Sequence, residues 1–452
     1  MKSPRDLALI LLNRLSDRPR PLRSHFQELL GQNPQLDERD VAFLVQLVQG
    51  VLRWRVRLDW VIQQSADFPK RRISPRVLNI LRLALYQVLF LDRVPESAAV
   101  NEAVKQAKSR GGAPYLVSFV NGILRNICRN KDSISFPDPS GDRTGYLSVT
   151  YSYPRWLVKK WLGEWGDSFA EALLDAQNRV PALCVRANQL RVGREEFLEC
   201  LKEEGVVGEP GKYAPEAVTL KEFRGRVDKL ACFGNGLFQV QDQAAQITSH
   251  LLGPNPGETL LDLCAGFGGK TTHLAEIMGD RGRVLALDIS RARLISLESN
   301  RRRLGIKSIF SVQADARIPR YSFSGSSFDR IMVDAPCSGL GVLARHPDGK
   351  WNREEKDIGR LADLQEEIVR GAAPLLKPGG RMLYVTCTIS REENDGIVER
   401  CLRRQKGLRL LDLRDHGPQW AQDLVDEQGF FRTFPNVHGT DGFFAALFEK
   451  GN

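Results

Sequence analysis

Leu261-Asp262-Leu263-Cys264-Ala265-Gly266-Phe267-Gly268-Gly269-Lys270-Thr271 decides how this 452-residue chain is read. An apolar strand ends on an acid, a glycine-rich turn follows, and helical spacing resumes over 271–278. Glycines in such a turn let backbone N–H groups approach a ligand at a helix N-terminus. Two familiar nucleotide loops do not fit. A P-loop needs glycine where Cys264 stands, and a dinucleotide fingerprint built on Gly266 and Gly268 needs glycine where Thr271 stands. Around this loop, short apolar segments at 259–263, 284–288, 308–313, 329–334, 381–386 and 443–448 alternate with helical patterns. That alternation predicts βαβ crossovers and a largely parallel sheet with helices on both faces.

The tips of these strands carry the chemistry. Asp262 ends the first and Asp288 the second, where an acid would meet ribose hydroxyls. Ser290 is expected to cap the next helix and Gly305 to close it. Asp315 follows the third strand, and the repeated placement of acids points to cofactor binding, with S-adenosylmethionine fitting better than NAD. Cys337 lies just beyond the fourth strand in Asp334-Ala335-Pro336-Cys337-Ser338, and Cys387 ends the fifth in Thr386-Cys387-Thr388. Neighbouring strand tips are about 5 Å apart, so the two thiols would flank one flat ring. Thiolate addition at C6 of a cytosine makes C5 enamine-like and able to accept a methyl group, giving a covalent adduct that a second group must resolve. A free thiol has a pKa of about 8.5, so the attacking sulfur needs a supportive environment. Asp334 would sit against the Watson-Crick edge and distinguish cytosine from uracil.

Upstream, helical spacing is read over 5–15, 37–57, 75–91, 98–109 and 114–129, the third being apolar enough to lie at the centre of a bundle. Residues 131–146 are punctuated as a linker. From 150 to 238, helical stretches at 154–165 and 194–204 alternate with strand-like pieces at 182–186 and 236–240, predicting a small α+β domain. Trp156, Trp161 and Trp165 have helical spacing and are read as core rather than base platforms. Residues 1–140 hold 22 Lys plus Arg against 13 Asp plus Glu, which accounts for most of the formal net charge of +10. Such a basic segment suits a phosphate backbone, and Lys70-Arg71-Arg72 is one candidate contact. The eight cysteines lack CxxC spacing and none of the six histidines has a partner at i+4, so neither a disulfide framework nor a metal site is expected. The N-terminal stretch lacks a signal-peptide core and a bilayer-length apolar run, which predicts a cytoplasmic protein.

These motifs together resemble the RNA 5-methylcytosine methyltransferases, best the bacterial Sun/Fmu (RsmB) family acting on small-subunit ribosomal RNA, over nearly the whole chain. The resemblance implies a multidomain architecture: residues 1–140 an all-α NusB-like RNA-binding bundle, 141–238 a small α+β domain similar to an RNA recognition motif, and 239–452 an α/β Rossmann-like class I methyltransferase. The first rests on Pro95-Glu96-Ser97-Ala98-Ala99-Val100-Asn101-Glu102-Ala103-Val104 and Ser118-Phe119-Val120-Asn121-Gly122-Ile123-Leu124-Arg125, the second on Tyr153-Pro154-Arg155-Trp156-Leu157. It further implies that Cys387 is the nucleophile, that Cys337 assists release, and that Cys264, Ala265, Gly266, Phe267, Gly268, Gly269, Lys270, Asp288, Asp315 and Asp334 bind S-adenosyl-L-methionine. Asp334 would also adjoin the target base. Arg345-His346-Pro347-Asp348, Trp351, Glu392-Glu393-Asn394 and Asp441-Gly442-Phe443-Phe444 match segments near the family's RNA site or after its nucleophile. The implied partner is 16S ribosomal RNA, free or in a partly assembled subunit, met by a monomer. One departure stands out: the loop usually reads Cys-Ala-Ala-Pro-Gly-Gly-Lys, and Gly266-Phe267 in place of Ala-Pro is expected to change loop geometry or cofactor affinity. The alternatives are the same reaction on transfer RNA or DNA, the latter with the two cysteines exchanging roles, a non-catalytic RNA-binding assembly or antitermination factor, and an NAD-dependent oxidoreductase.

Overall fold

The computed structural model describes residues 2–17, 21–66, 73–109, 113–223, 225–319, 322–323 and 327–451, so Lys70-Arg71-Arg72 lies outside the described residues. The chain forms two units, Met1–Asn178 with Arg345–Glu354, and Arg179–Ala344 with Glu355–Asn452.

In the first unit, helices α1 (Pro4–Asp17), α2 (Leu22–Gly31), α3 (Glu38–Arg53) and α4 (Arg55–Gln64) precede α5 (Pro75–Phe90), the expected central helix. The Ser74 side chain accepts the Val77 N–H and Pro75 opens the first turn, a start signal in which both orphan donors and φ are provided for. Val77 to Gln87 are buried without interruption, and α1, α3, α4, α6 (Glu96–Ser109) and α7 (Pro114–Asn130) pack on α5. Such an all-round apolar helix has to be covered on every side. Its one buried cation, Arg82, grips buried Asp59 with bonds of 2.6 and 2.8 Å. Where a continuous helix over 37–57 was expected, the chain breaks at Trp54, whose indole stacks on Phe90 with centroids 4.8 Å apart. α2, which the sequence reading did not include, fills the space before α3.

The expected linker ends in a helix, α8 (Arg143–Thr150), because Asp142 accepts the Gly145 N–H at 2.9 Å as an N-cap. α9 (Arg155–Trp165) and α10 (Asp167–Ala176) complete the unit, with Trp161 fully buried and Trp156 and Trp165 half-buried. The excursion Arg345–Glu354 folds into this unit through Lys350. Its Nζ donates to Asn178 Oδ1 at 2.7 Å, Arg53 O at 3.2 Å and Ser152 O at 3.3 Å, 3.5 Å above the Tyr153 ring. Burial drives the Lys350 amine well below its ordinary pKa.

The second unit begins with β1 (Leu183–Ala187), α11 (Arg194–Glu203), β2 (Gly208–Pro210), β3 (Ala217–Leu220), α12 (Ala231–Gly234) and β4 (Phe238–Val240), a βαββαβ series with antiparallel order β2-β3-β1-β4. That order is ferredoxin-like. After α13 (Gln243–Leu252) come β5 (Thr259–Leu263), α14 (Gly269–Ile277), β6 (Arg283–Asp288), α15 (Arg291–Leu304), β7 (Ile309–Gln313), β8 (Phe328–Asp334), α16 (Glu355–Ala372), β9 (Leu376–Thr386), α17 (Asp395–Arg404), β10 (Leu408–Leu411), β11 (Phe431–Arg432) and β12 (Phe444–Lys450). β5 to β9 run parallel in the order β9-β8-β5-β6-β7, while β12 pairs antiparallel with β9 and β10. The order reverses between β5 and β8, the switch point at which open α/β sheets bind ligands. Among the described residues, no helix is long and apolar enough to cross a membrane.

Gly50 on α3 meets the Tyr86 ring so closely that a Cβ would lie 1.9 Å from its Cζ. Gly50→Ala gains about 1 kcal/mol of helix propensity but must displace a packed aromatic ring, so a net loss of about 1–3 kcal/mol is expected in urea denaturation followed by helical circular dichroism.

Candidate active site

β8 and β9 are parallel neighbours in which Asp334 stands opposite Val385, and the Ala335 N–H continues the ladder to Val385 O at 2.9 Å. The turns leaving these two strands bring Cys337 Sγ and Cys387 Sγ to 3.3 Å. A disulfide would need about 2.05 Å, and both cysteines are free thiols. The hydrogen bond with Cys387, reinforced by burial, pushes the Cys337 thiol well above its ordinary pKa, so Cys337 stays a thiol, and either sulfur can be the donor between them.

Behind the sulfurs stands Glu393, whose importance the sequence suggested only as part of a motif. One carboxylate oxygen accepts the Ser338 N–H at 2.8 Å and Gln365 Nε2 at 3.0 Å; the other accepts the Ser338 hydroxyl and Thr388 Oγ1 at 3.3 Å. Gln365 also holds Pro336 O at 3.0 Å, and Tyr384 OH donates to Gln365 Oε1 at 3.0 Å or to Glu393 O at 2.6 Å. One buried carboxyl thus ties the Cys337 turn to the Cys387 turn, and its burial raises its pKa against those hydrogen bonds. Gln365 and Tyr384 carried no sequence signal, since each looks like an ordinary interior position of α16 or β9. Asn394 completes the support by accepting Thr386 Oγ1 at 2.6 Å and donating to Thr388 O at 3.0 Å. Gly341 and Gly442 approach backbone to backbone: Gly341 N–H donates to Cys387 O at 3.1 Å, and a Cβ on Gly341 would lie 2.0 Å from Gly442 O.

The glycine-rich loop needs left-handed backbone at Cys264, Gly266 and Gly268, with φ of 65°, 58° and 85°. At Gly268 a side chain would also strike Leu297 Cγ at 2.6 Å. The Gly266 N–H donates to Asp288 Oδ2 at 2.9 Å, and the Ser290 N–H to Asp288 Oδ1 at 2.7 Å. Ser290 takes the N-cap position of α15 as expected, with no side-chain bond and its own N–H given to Asp288, and Gly305 closes the helix in a left-handed turn. The Ala265 N–H joins Leu287 O at 2.9 Å, and Phe267 stands partly exposed at the outer bend. Lys270 Nζ reaches Asp334 Oδ2 at 2.7 Å and lies 5.2 Å over the Phe443 ring. Burial disfavours the Lys270 charge, but Asp334 outweighs it and raises the pKa.

Asp262 is fully buried, accepts Thr271 Oγ1 at 2.5 Å through Oδ2, and has an Oδ1 with no hydrogen-bond partner among the described residues. Burial, with Asp334 and Asp288 as like-charged neighbours, pushes it up to about 7. The Cys264 thiol is raised by burial and by the same carboxylates. Asp315 is engaged within its own turn, accepting the Arg317 N–H at 2.9 Å and pairing with its guanidinium at 2.6 Å, which holds it below the usual carboxylate range. His346, Asp348 and Trp351 belong to the first unit, where Trp351 Nε1 donates to Leu52 O at 2.7 Å.

A cluster invisible to local spacing also forms: Glu216, His250 and His273 converge, with both imidazole Nε2 atoms on the one oxygen Glu216 Oε1. A tetrahedral zinc with bonds of about 2.0–2.2 Å keeps its ligand atoms roughly 3.3 Å apart. The His250 contact is 2.8 Å, a hydrogen-bond length, so the cluster is a hydrogen-bonded hub.

With this geometry in hand, comparison with known proteins is direct. The family model described as 16S rRNA methyltransferase RsmB/F matches residues 249–449, that of the NusB family residues 2–129, and that of the RsmF/B-like ferredoxin-like domain residues 153–226. The probable ribosomal RNA small subunit methyltransferase B of Bacillus subtilis (strain 168) is 35% identical over 449 residues, 99% of each chain. The chain belongs to the RsmB/F family of RNA methyltransferases. Ribosomal RNA small subunit methyltransferase B of Proteus mirabilis is 34% identical over 99% of this chain and 98% of its own. Among solved structures, the crystal structure of PH0851 has a TM-score of 0.82 at 29% identity, covering 100% of this chain and 99% of that one. A methyltransferase homolog from Pyrococcus horikoshii has a TM-score of 0.59 at 25% identity, covering 69% and 99%. The RsmB/F assignment carries the expected fold with it: NusB-like helices, a ferredoxin-like middle domain and a Rossmann-like methyltransferase domain.

Asp262 gives a pH signature. Its pKa is about 7 when folded against an ordinary value of 3.8, so folding takes up a proton between those values and stability falls as pH rises through that window. Asp262→Asn should flatten this dependence and stabilise the chain at pH 8 by on the order of 2–4 kcal/mol, read as urea midpoints at pH 5 and pH 8.

Proposed function

We propose that the protein transfers a methyl group from S-adenosyl-L-methionine to C5 of a cytosine in 16S ribosomal RNA, through a covalent bond from Cys387 to C6. The observation that carries this reading is the 3.3 Å approach of two free thiols at adjacent strand tips. Two sulfurs at that distance suit a reaction with two thiol tasks, attack and release. The substrate class follows the names of the full-length relatives, which act on small-subunit ribosomal RNA.

The loop fits the cofactor's chemistry. Asp262, Asp288 and Asp334 act electrostatically on one site, and Asp262 leaves a buried oxygen unpaired, an environment that favours a cation such as a sulfonium. Residues 264–270 and Asp288 would hold the cofactor, with Asp315 at the rim. When bound, the cofactor supplies the methyl group as an electrophile.

The chain's own residues do the rest. Cys387 attacks C6 as the thiolate, its proton having passed to solvent, and the Cys337 S–H beside it stabilises the attacking sulfur by hydrogen bonding. Asp334, steadied by Lys270, faces the cytosine edge and pairs with its exocyclic amine. After transfer, the C5–H electron pair re-forms the C5–C6 double bond as the C6–S bond breaks and Cys387 leaves as a thiolate; Cys337, the neighbouring thiol, takes the C5 proton once it has passed its own to solvent. Glu393 keeps the two turns in register throughout. The target must be unpaired or splayed from its helix, since a stacked ring carbon is out of reach.

A 5-fluorocytosine RNA, whose C5 carries no removable proton, should trap wild-type protein as an adduct stable to denaturing electrophoresis when S-adenosylmethionine is present. Cys387→Ala should abolish the adduct and Cys337→Ala should retain it. The opposite pattern reverses the two roles, as in the DNA-type alternative, and RNA binding with neither adduct nor label transfer supports the non-catalytic reading.

A further inference from the structure

Arg186, on β1 of the ferredoxin-like domain, is completely buried, and its guanidinium donates to α14 and to Gln241. Nη1 donates to Gly269 O at 2.8 Å and to Gln241 Oε1; Nη2 donates to Thr272 Oγ1 at 3.0 Å and Glu276 Oε1 at 2.7 Å; Nε donates to Glu276 Oε2 at 3.1 Å. The same domain contributes Glu216, which bonds His273. Gly269, Thr272, His273 and Glu276 stand at i, i+3, i+4 and i+7, one continuous face of α14. The ferredoxin-like domain therefore holds this helix along its length with charged groups on rigid elements.

α14 is also the end of the glycine-rich loop. Gly269 is its first residue, Lys270 its second, and Gly268 is jammed against Leu297 on the other side. Leu297 behind Gly268 and Arg186 on the Gly269 carbonyl thus restrain the end of the loop from two sides. We propose that Arg186 is a positioning residue through which the ferredoxin-like domain sets the affinity of the glycine-rich loop for S-adenosylmethionine. This rests on the cofactor reading given above. Arg186 touches neither cofactor nor substrate; it fixes the backbone that does, and displacing such a backbone by an ångström weakens what it binds.

Removing Arg186 alone would strand Glu276 as an uncompensated buried charge, so Arg186→Met by itself confuses folding with positioning. Two variants separate them. Arg186→Met/Glu276→Met replaces the pair by apolar groups of similar length and should keep the fold, because a buried ion pair exchanged as a unit is often neutral. Arg186→Lys keeps a charge for Glu276 but lacks the fork that reaches Gly269 O and Thr272 at once. Full-length proteins would be compared by calorimetric titration with S-adenosylmethionine, thermal melting, and steady-state methylation of small-subunit RNA. The expected result is a Kd and a cofactor KM raised about tenfold or more in both variants, with kcat changed far less and melting close to wild type. Cofactor affinity within about twofold of wild type in either folded variant would overturn the proposal. A wild-type protein that binds no S-adenosylmethionine would instead overturn the cofactor reading beneath it.

Discussion

The approach of the two thiols depends on the pairing of two parallel strands. β8 and β9 lie side by side with Asp334 opposite Val385, and the ladder extends one residue further through Ala335. Parallel neighbours are about 4.8 Å apart, and that spacing allows Cys337, three residues past β8, to meet Cys387, one past β9. A one-residue slip would turn every side chain to the other face and separate the sulfurs. The register is fixed from outside the ladder as well, because Glu393 bonds Ser338 from one turn and Thr388 from the other. Gln365 from α16 closes the same network, so a helix on one face of the sheet locks two loops at its edge.

A second constraint is electrostatic. Burying carboxylates beside one another is costly unless each finds donors or a cation. Asp288 is satisfied by two backbone N–H groups and Asp334 by Lys270, whereas Asp262 is left with one oxygen unpaired. The residual negative field is concentrated where the strand order reverses. A site of that kind favours a positively charged ligand over a phosphate, because the carboxylates attract the one and repel the other.

Much of this was legible in the sequence because it is local. The strands of the Rossmann-like sheet announce themselves as short apolar runs, and the two cysteines stand immediately after such runs. The helical unit was legible from spacing, except where the helix breaks at Trp54, whose ring stacks on Phe90, and at α2, a helix of only ten residues. Non-local bonds were not legible. Nothing near Gln365 or Tyr384 marks them as supports for a thiol pair, and Arg186, Glu276, Glu216 and His273 are assembled from segments as much as 90 residues apart. A buried charge is visible in a sequence only as a charge; that it is buried, and against what, is decided by the fold.

The altered loop sequence is also explained by its backbone. Gly266 sits at φ 58°, a left-handed conformation that alanine adopts only with strain. A residue followed by proline is confined to extended backbone, because the proline ring crowds it. With phenylalanine at 267 that restriction is gone, and with glycine at 266 the left-handed turn costs little, so the two departures from the usual Ala-Pro belong together as one change of conformation. A Cβ at Gly266 would meet only Cys264 O, at 3.8 Å, which means that φ rather than space selects glycine there. The turn so formed points the Gly266 N–H at Asp288. That bond anchors the loop's backbone on β6.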